Sequence, residues 1–190
     1  MKVRAAEPWD LVTIADMERQ TWDPALVTYR LDEIPPFEVR FLGAHHYVAY
    51  DGADGAFVGF GIMQPYTGQR STSHVGVLQL VGVLPQHQGR GFGTTIVRAC
   101  LDASSHLGFE RVLTYVMSDN LASLRMTQAA GFKEEGRLRG VSRRPSGDQD
   151  KIILAFDTGL GNGNQPSGLE AAVRPAVTRR TPCGTKPDDT

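Results

Sequence analysis

The stretch Gln86–Gly93, QHQGRGFG, has glycine at every second position, Gly89, Gly91 and Gly93, between a strand pattern and a helix pattern. Upstream, Val75–Pro85 is a run of β-branched and leucine side chains stopped by proline, which reads as a buried strand. Downstream, Ile96, Val97, Cys100, Leu101, Ser104 and Leu107 recur at helical spacing, with Gly108 placed to end the helix. A strand, a glycine loop and a helix in that order form a crossover, so the next strand pattern, Arg111–Met117, is expected parallel to Val75–Val83. Residues without a Cβ let a ligand approach the backbone. The unpaired N–H groups and positive dipole end of the following helix make that junction an anion site, to which Arg90 adds a charge. A phosphate-bearing ligand is the expected guest.

Two familiar phosphate loops do not fit. A Walker A loop ends Gly-Lys-Ser/Thr, whereas Gly93 is followed by Thr94 and Thr95. A dinucleotide fingerprint needs Gly-x-Gly-x-x-Gly directly after the strand, but Thr94 takes the place of the third glycine and Pro85–Gln88 intervene. The acid nearest the place where the fingerprint needs one, about 20 residues on, is Glu110, and it precedes the next strand instead of ending it. A nicotinamide-dependent oxidoreductase is therefore disfavoured.

The rest of the chain supplies the frame. KVRAA opens as a short strand, and a helix is expected from Asp10 to Thr21 through Leu11, Ile14, Ala15 and Met17–Glu18. A poorer helical region follows and breaks at Pro35–Pro36. HHYVAYD and AFVGFGIMQPY flank DGADG as a hairpin. A short helix from Leu121 to about Ala130 ends at Gly131, and two last strands, about Phe132–Ser142 and Lys151–Asp157, flank a turn RRPSGDQ. The expected class is α/β: a mixed sheet with helices on both faces. At 190 residues one domain is expected, over 1–157, with 158–190 a Gly/Pro-rich tail expected to be disordered.

A net charge of −1 gives no ground for a nucleic acid or an anionic membrane as partner. No segment approaches the roughly 18 apolar residues of a spanning helix, and the N-terminus does not read as a secretory signal. Cys100 and Cys183 make no disulfide framework, so a reduced, cytoplasmic setting is expected. No metal site is assigned.

Gln88-Gly89-Arg90-Gly91-Phe92-Gly93, preceded by Val83-x-Pro85, resembles the signature loop of the GNAT superfamily of N-acetyltransferases. A later patch, Asn120–Phe132, is similar to that family's second motif: an Asn after a strand, a short helix, then Gly-Phe. The continuation, with Glu135-Gly136, Leu138-Arg139 and the turn Gly147-x-x-Asp150, resembles the branch of phosphinothricin-type and ribosomal-protein N-acetyltransferases. The resemblance implies a GNAT-like fold whose two parallel central strands splay apart, and acetyl-CoA as co-substrate with an amine as acceptor. It implies that Gln88 to Thr94 hold the pyrophosphate and that backbone N–H groups near Val81 and Val83 face the thioester carbonyl. It also brings Asn120, with Ser123 beside it, to the pantetheine arm; Asn120 is equally suited to cap the next helix. A second copy of the chain is a candidate partner.

Proton handling fits this resemblance less well. The family's tyrosine acid falls on Thr127, too weak an acid to replace a phenol. The branch's glutamate falls on Leu78, and no Asp or Glu occurs between Asp54 and Asp102. His74 is the best local substitute: strand parity puts it on the face of Leu78, about 13 Å away at roughly 3.3 Å per residue, within reach of a water relay. Tyr115 either lines the gap or packs in the core, and His45, His46 and His87 read as structural or surface residues. Trp22, Tyr29, Glu33 and Glu38 are candidate acceptor contacts. Two activities stay open: acetyl transfer to a small amine, an amino acid or a protein N-terminus, and a GNAT-like acyl-CoA-binding module with little turnover.

Overall fold

Asp10 is buried at the head of the first helix, where its carboxylate accepts the Glu7 N–H at 2.7 Å and two bonds from the Arg4 guanidinium. The charged partner holds the carboxyl of Asp10 below its ordinary pKa, against the opposing effect of burial. That ion pair ties strand β1 (Lys2–Ala5) to helix α1 (Asp10–Thr21), whose buried face is Ile14, Ala15, Met17 and Glu18. The structure, a computed structural model, describes residues 1–21, 35–66, 70–144 and 147–159. Trp22, Tyr29 and Glu33 lie outside the described residues, as does the chain after Gly159.

Helix α2 is one turn, Phe37–Arg40, starting directly behind Pro36 and including Glu38. Strands β2 (His45–Tyr50) and β3 (Phe57–Pro65) form the expected hairpin, and β4 (Val75–Val83) pairs antiparallel with β3. Helix α3 (Phe92–His106) crosses over to β5 (Arg111–Met117), which runs parallel to β4 as expected. Helix α4 (Leu121–Ala130) ends at Gly131, which takes the left-handed conformation. The last two strands, β6 (Lys133–Arg144) and β7 (Gly147–Asp157), reach further than their polar sequence suggests. Their ladder continues to Arg144 and Gly147 with the cross-strand pair Arg143–Asp148 on residues that read as turn, while Asp150, at the edge of that turn, pairs with Arg137 inside the expected strand.

The described strands make one seven-stranded mixed sheet in the order β1-β2-β3-β4-β5-β7-β6, an α/β architecture. On one face Ile96, Val97, Cys100 and Leu101 of α3 bury against Val112, Val116, Ile152 and Leu154. Each such aliphatic side chain stabilises the fold by roughly 1.5–3 kcal/mol. On the other face Ile14 and Met17 of α1 pack with Val48, Phe60 and Ile62. Burial pushes the thiol of Cys100 up to about 12.

Candidate active site

The three loop glycines do different things. Gly89 and Gly91 sit at φ of 72° and 78°, and a Cβ added to either would meet nothing within 4 Å. They are required by the backbone turn, and the space beside them is open. Gly93 has no such φ; a Cβ there would stand 2.6 Å from the Met126 sulfur, so this glycine lets α3 lie against α4. The expectation of one uniform ligand-facing glycine pattern is corrected to that extent.

Gly91 is the N-cap of α3, and the first helical bond runs from Thr95 N–H to the Gly91 carbonyl at 3.2 Å. The N–H groups of Phe92, Gly93 and Thr94 therefore have no intrahelical acceptor. Arg90 rests its guanidinium over the Phe92 ring, 4.7 Å from the centroid, beside those donors. Gln88 closes the loop, its side-chain amide donating to the Val83 carbonyl at 2.9 Å. His87, half-buried, lines the groove, and its Nδ1 is enclosed without a hydrogen-bond partner among the described residues.

The groove exists because β4 and β5 pair over only three residues, Val75–Val77 against Arg111–Leu113. Beyond them the strands part. The Thr114 hydroxyl donates to the Leu78 carbonyl at 3.0 Å, capping the last peptide before the gap. Ile62 pairs with Leu80 and Met63 with Leu78, so Gln79 is an extra, bulged residue. Past the bulge, Leu84 N–H donates to the Val58 carbonyl of β3. Strand alternation then turns the N–H groups of Val83 and Val81 away from β3, into the gap. The groove has a volume of about 1130 Å³ and passes from the α3/α4 face of the sheet to the α1 face.

On the α3/α4 side stand Asn120, Ser123, Met126 and Thr127. Asn120 caps α4, its side-chain oxygen accepting the Ser123 N–H at 3.0 Å. Thr127 is 2% exposed, and its hydroxyl donates back to the Ser123 and Leu124 carbonyls of its own helix. Its proton is thereby held within α4, which does not suit the acid position the resemblance gives it. Leu78 lines the gap as a buried aliphatic residue.

His74 is not brought to the groove. It sits exposed in the turn before β4, where its carbonyl accepts the Glu110 and Arg111 N–H groups. The gap opens only after Leu78, at the far end of the paired segment, so the expectation for His74 is corrected by position.

On the α1 side, Tyr115 is 36% exposed and lines the groove; it does not pack in the core. Burial first, then a hydrogen bond with Tyr66, raises the Tyr115 phenol above its ordinary pKa. Glu18 reaches the groove from α1, with both carboxylate oxygens held by the Arg40 guanidinium at 2.9 and 2.5 Å. Lys151 of β7 completes that side. Sequence reading missed Glu18 and Lys151 as groove residues, and only β-register, Met117 opposite Lys151 and Tyr115 opposite Ile153, shows the second.

Residues 11–132 match the Acetyltransferase (GNAT) family. Over 115 residues the chain is 34% identical to the mycothiol acetyltransferase of Mycobacteroides abscessus, a match that covers 60% of this chain and 36% of that protein. Across the mycothiol acetyltransferases it matches, the chain spans 25% to 38% of their length. It is 27% identical over 141 residues to the L-amino acid N-acyltransferase MnaT of Escherichia coli, covering 70% of this chain and 79% of that one. In three dimensions it resembles a phosphinothricin acetyltransferase from Sinorhizobium meliloti, solved in complex with acetyl-CoA. The TM-score is 0.71 at 18% identity, over 87% of this chain and 92% of that one, a likeness of fold. Among the described residues no helix is long and apolar enough to cross a membrane.

Proposed function

The chain belongs to the acetyltransferase (GNAT) family, and from that premise we propose that it moves an acetyl group from acetyl-CoA directly to a primary amine. One observation carries the reading: the gap between β4 and β5 opens beside the unpaired N–H groups that begin α3. The residues fit the donor. The open space at Gly89 and Gly91, the N–H groups of Phe92, Gly93 and Thr94, and Arg90 suit its pyrophosphate. Asn120 keeps its side-chain N–H2 for the pantetheine arm while its oxygen caps α4, and Ser123 stands one turn behind it. The groove exceeds the roughly 300–1,000 Å³ of common ligand sites, as a long donor and an acceptor together require.

Acetyl-CoA supplies the acetyl group as a thioester. The N–H groups of Val81 and Val83, fixed by the β4 backbone, favour negative charge at the carbonyl oxygen. Holding donor and acceptor across one gap accounts for part of the rate by proximity. Among the described residues the groove's only carboxylate, Glu18, has both oxygens engaged by Arg40. The amine therefore enters in its neutral form, and water carries its proton away.

Titration calorimetry with acetyl-CoA, followed by thiol release with an amine panel, tests the reading: binding and at least one turned-over amine are expected. A second reading, an acyl-CoA-binding module with little turnover, is favoured by Leu78 and by the engaged hydroxyl of Thr127. Binding without thiol release from any amine would select it.

The same proposal takes residues 1–157 as the domain and a cytoplasmic, reduced setting. Thr158 still belongs to the domain edge, bonding the Glu110 carbonyl through its N–H and the Phe109 carbonyl through its hydroxyl. A chain ending at Gly159 should keep the full-length Tm; a fall of more than a few degrees would show that the tail packs on the domain. Sedimentation would decide whether two copies associate.

A further inference from the structure

On the α1 side of the groove, the described charges do not cancel. Glu18 is neutralised by Arg40, which also donates to the Pro35 carbonyl and lies 4.9 Å from the Phe41 ring centroid. Lys151 is half-buried in the groove wall and makes no ion pair among the described residues. Its neighbour Asp150 is turned to Arg137 and to the Gly140 N–H. Its cross-strand partners are Met117 and Leu138, which offer no charge. Arg125, the other cation of the groove wall, stands on α4, on the donor face. Among the described residues this leaves one ammonium on the acceptor side, partly desolvated, without a counter-charge.

Lys151 and Tyr115 are diagonal neighbours across the β5–β7 pair, on one face of the sheet. Such positions lie roughly 7–8 Å apart, and the lysine stem reaches further along the surface. An anion on Lys151 thus keeps a group only a few bonds away beside Tyr115, at the edge of the gap. We propose that Lys151 holds the carboxylate of the acceptor, so that the acetylated amine belongs to a free amino acid and not to a polyamine or a peptide N-terminus. The inference rests on the acetyltransferase reading and narrows its acceptor.

The test compares the twenty proteinogenic L-amino acids with their α-carboxamides, and with spermidine, by thiol release from acetyl-CoA. The wild-type chain should prefer the best acid over its own amide by tenfold or more in kcat/KM, expressed in KM, the scale of a charge-assisted hydrogen bond. Lys151→Gln should narrow the acid-to-amide ratio below threefold, Lys151→Glu should invert it, and Lys151→Arg should keep most of it. Thermal melting of each variant shows that it is folded. An unchanged ratio in folded Lys151→Gln would overturn the proposal, as would preference for spermidine or for amides in the wild-type chain. If no amino acid is acetylated although calorimetry shows acetyl-CoA bound, the acceptor inference falls while the donor site stands. If acetyl-CoA itself does not bind, the underlying reading fails.

Discussion

The two walls of the groove are built from different materials. The α3 side offers backbone: N–H groups of Phe92, Gly93 and Thr94 at a helix start, and those of Val81 and Val83 along a strand edge. The α1 side offers side chains on strands and a helix: Tyr115, Lys151 and the Glu18–Arg40 pair. Backbone donors are aimed by φ and ψ, and the unusual φ they need selects glycine, a residue visible in sequence. Side-chain donors are aimed by register and by the distance between strands, which no single residue type betrays. One wall therefore tolerates many side chains but few backbone changes, and the other the reverse.

The largest expected effect breaks the first wall. Gly91→Val should weaken acetyl-CoA binding at least tenfold, because a β-branched residue resists the left-handed conformation at φ 78° that presents the α3 donors. Gly93→Val should act differently, lowering Tm by several degrees through overpacking against Met126. Met126→Ala in that background should recover part of the loss. Unchanged affinity by calorimetry in a folded Gly91→Val chain would remove the loop from the site.

The same contrast explains what was legible. Helix α4 was readable to its ends because Asn120 caps it and Gly131 closes it, two local signals. The parallel β4–β5 pair followed from the crossover alone. The Gln79 bulge was not readable: it is a mismatch between two strands, and neither Gln79 nor Ile62 carries a mark of it. His74 looked eligible because strand parity says nothing about which end of β4 faces the gap. The ends of the β6–β7 hairpin are not legible in the sequence, because Arg143, Asp148 and Asp150 are polar and only pairing across strands makes them β. Glu18 and Lys151, far apart in the chain, meet the groove only through tertiary structure.

An intermediate test concerns the proton. If no side chain takes it, kcat/KM should rise with pH toward the pKa of whichever amine is used, and His74→Ala should change the rate by less than about threefold, far below the loss of a positioned base. Thr127→Val should behave similarly, since its hydroxyl serves α4. An ascending limb near pH 6.5 that ignores the choice of amine and disappears in His74→Ala would restore the histidine. A tenfold fall in kcat for Thr127→Val would bring that hydroxyl into the chemistry.

The smallest effect sharpens the second wall. Tyr115 owes its raised pKa first to burial and then to the hydrogen bond with Tyr66, so Tyr66→Phe should remove the second cause and leave the first. Its ionisation, followed by tyrosinate absorbance and isolated by subtracting the Tyr115→Phe chain, should move down without reaching the free-phenol value. A group whose folded pKa is raised stabilises the fold fully below its unfolded pKa, and that contribution is lost as pH rises through the folded value. The Tyr115→Phe chain should therefore lose less stability than wild type above pH of about 10, and the two should run parallel below it. An unmoved titration in Tyr66→Phe would mean that burial alone sets this phenol, with the Tyr66 contact contributing nothing. A downward shift would show that the pair acts together, keeping a neutral hydroxyl donor beside Lys151 throughout the range in which an acceptor amine becomes reactive.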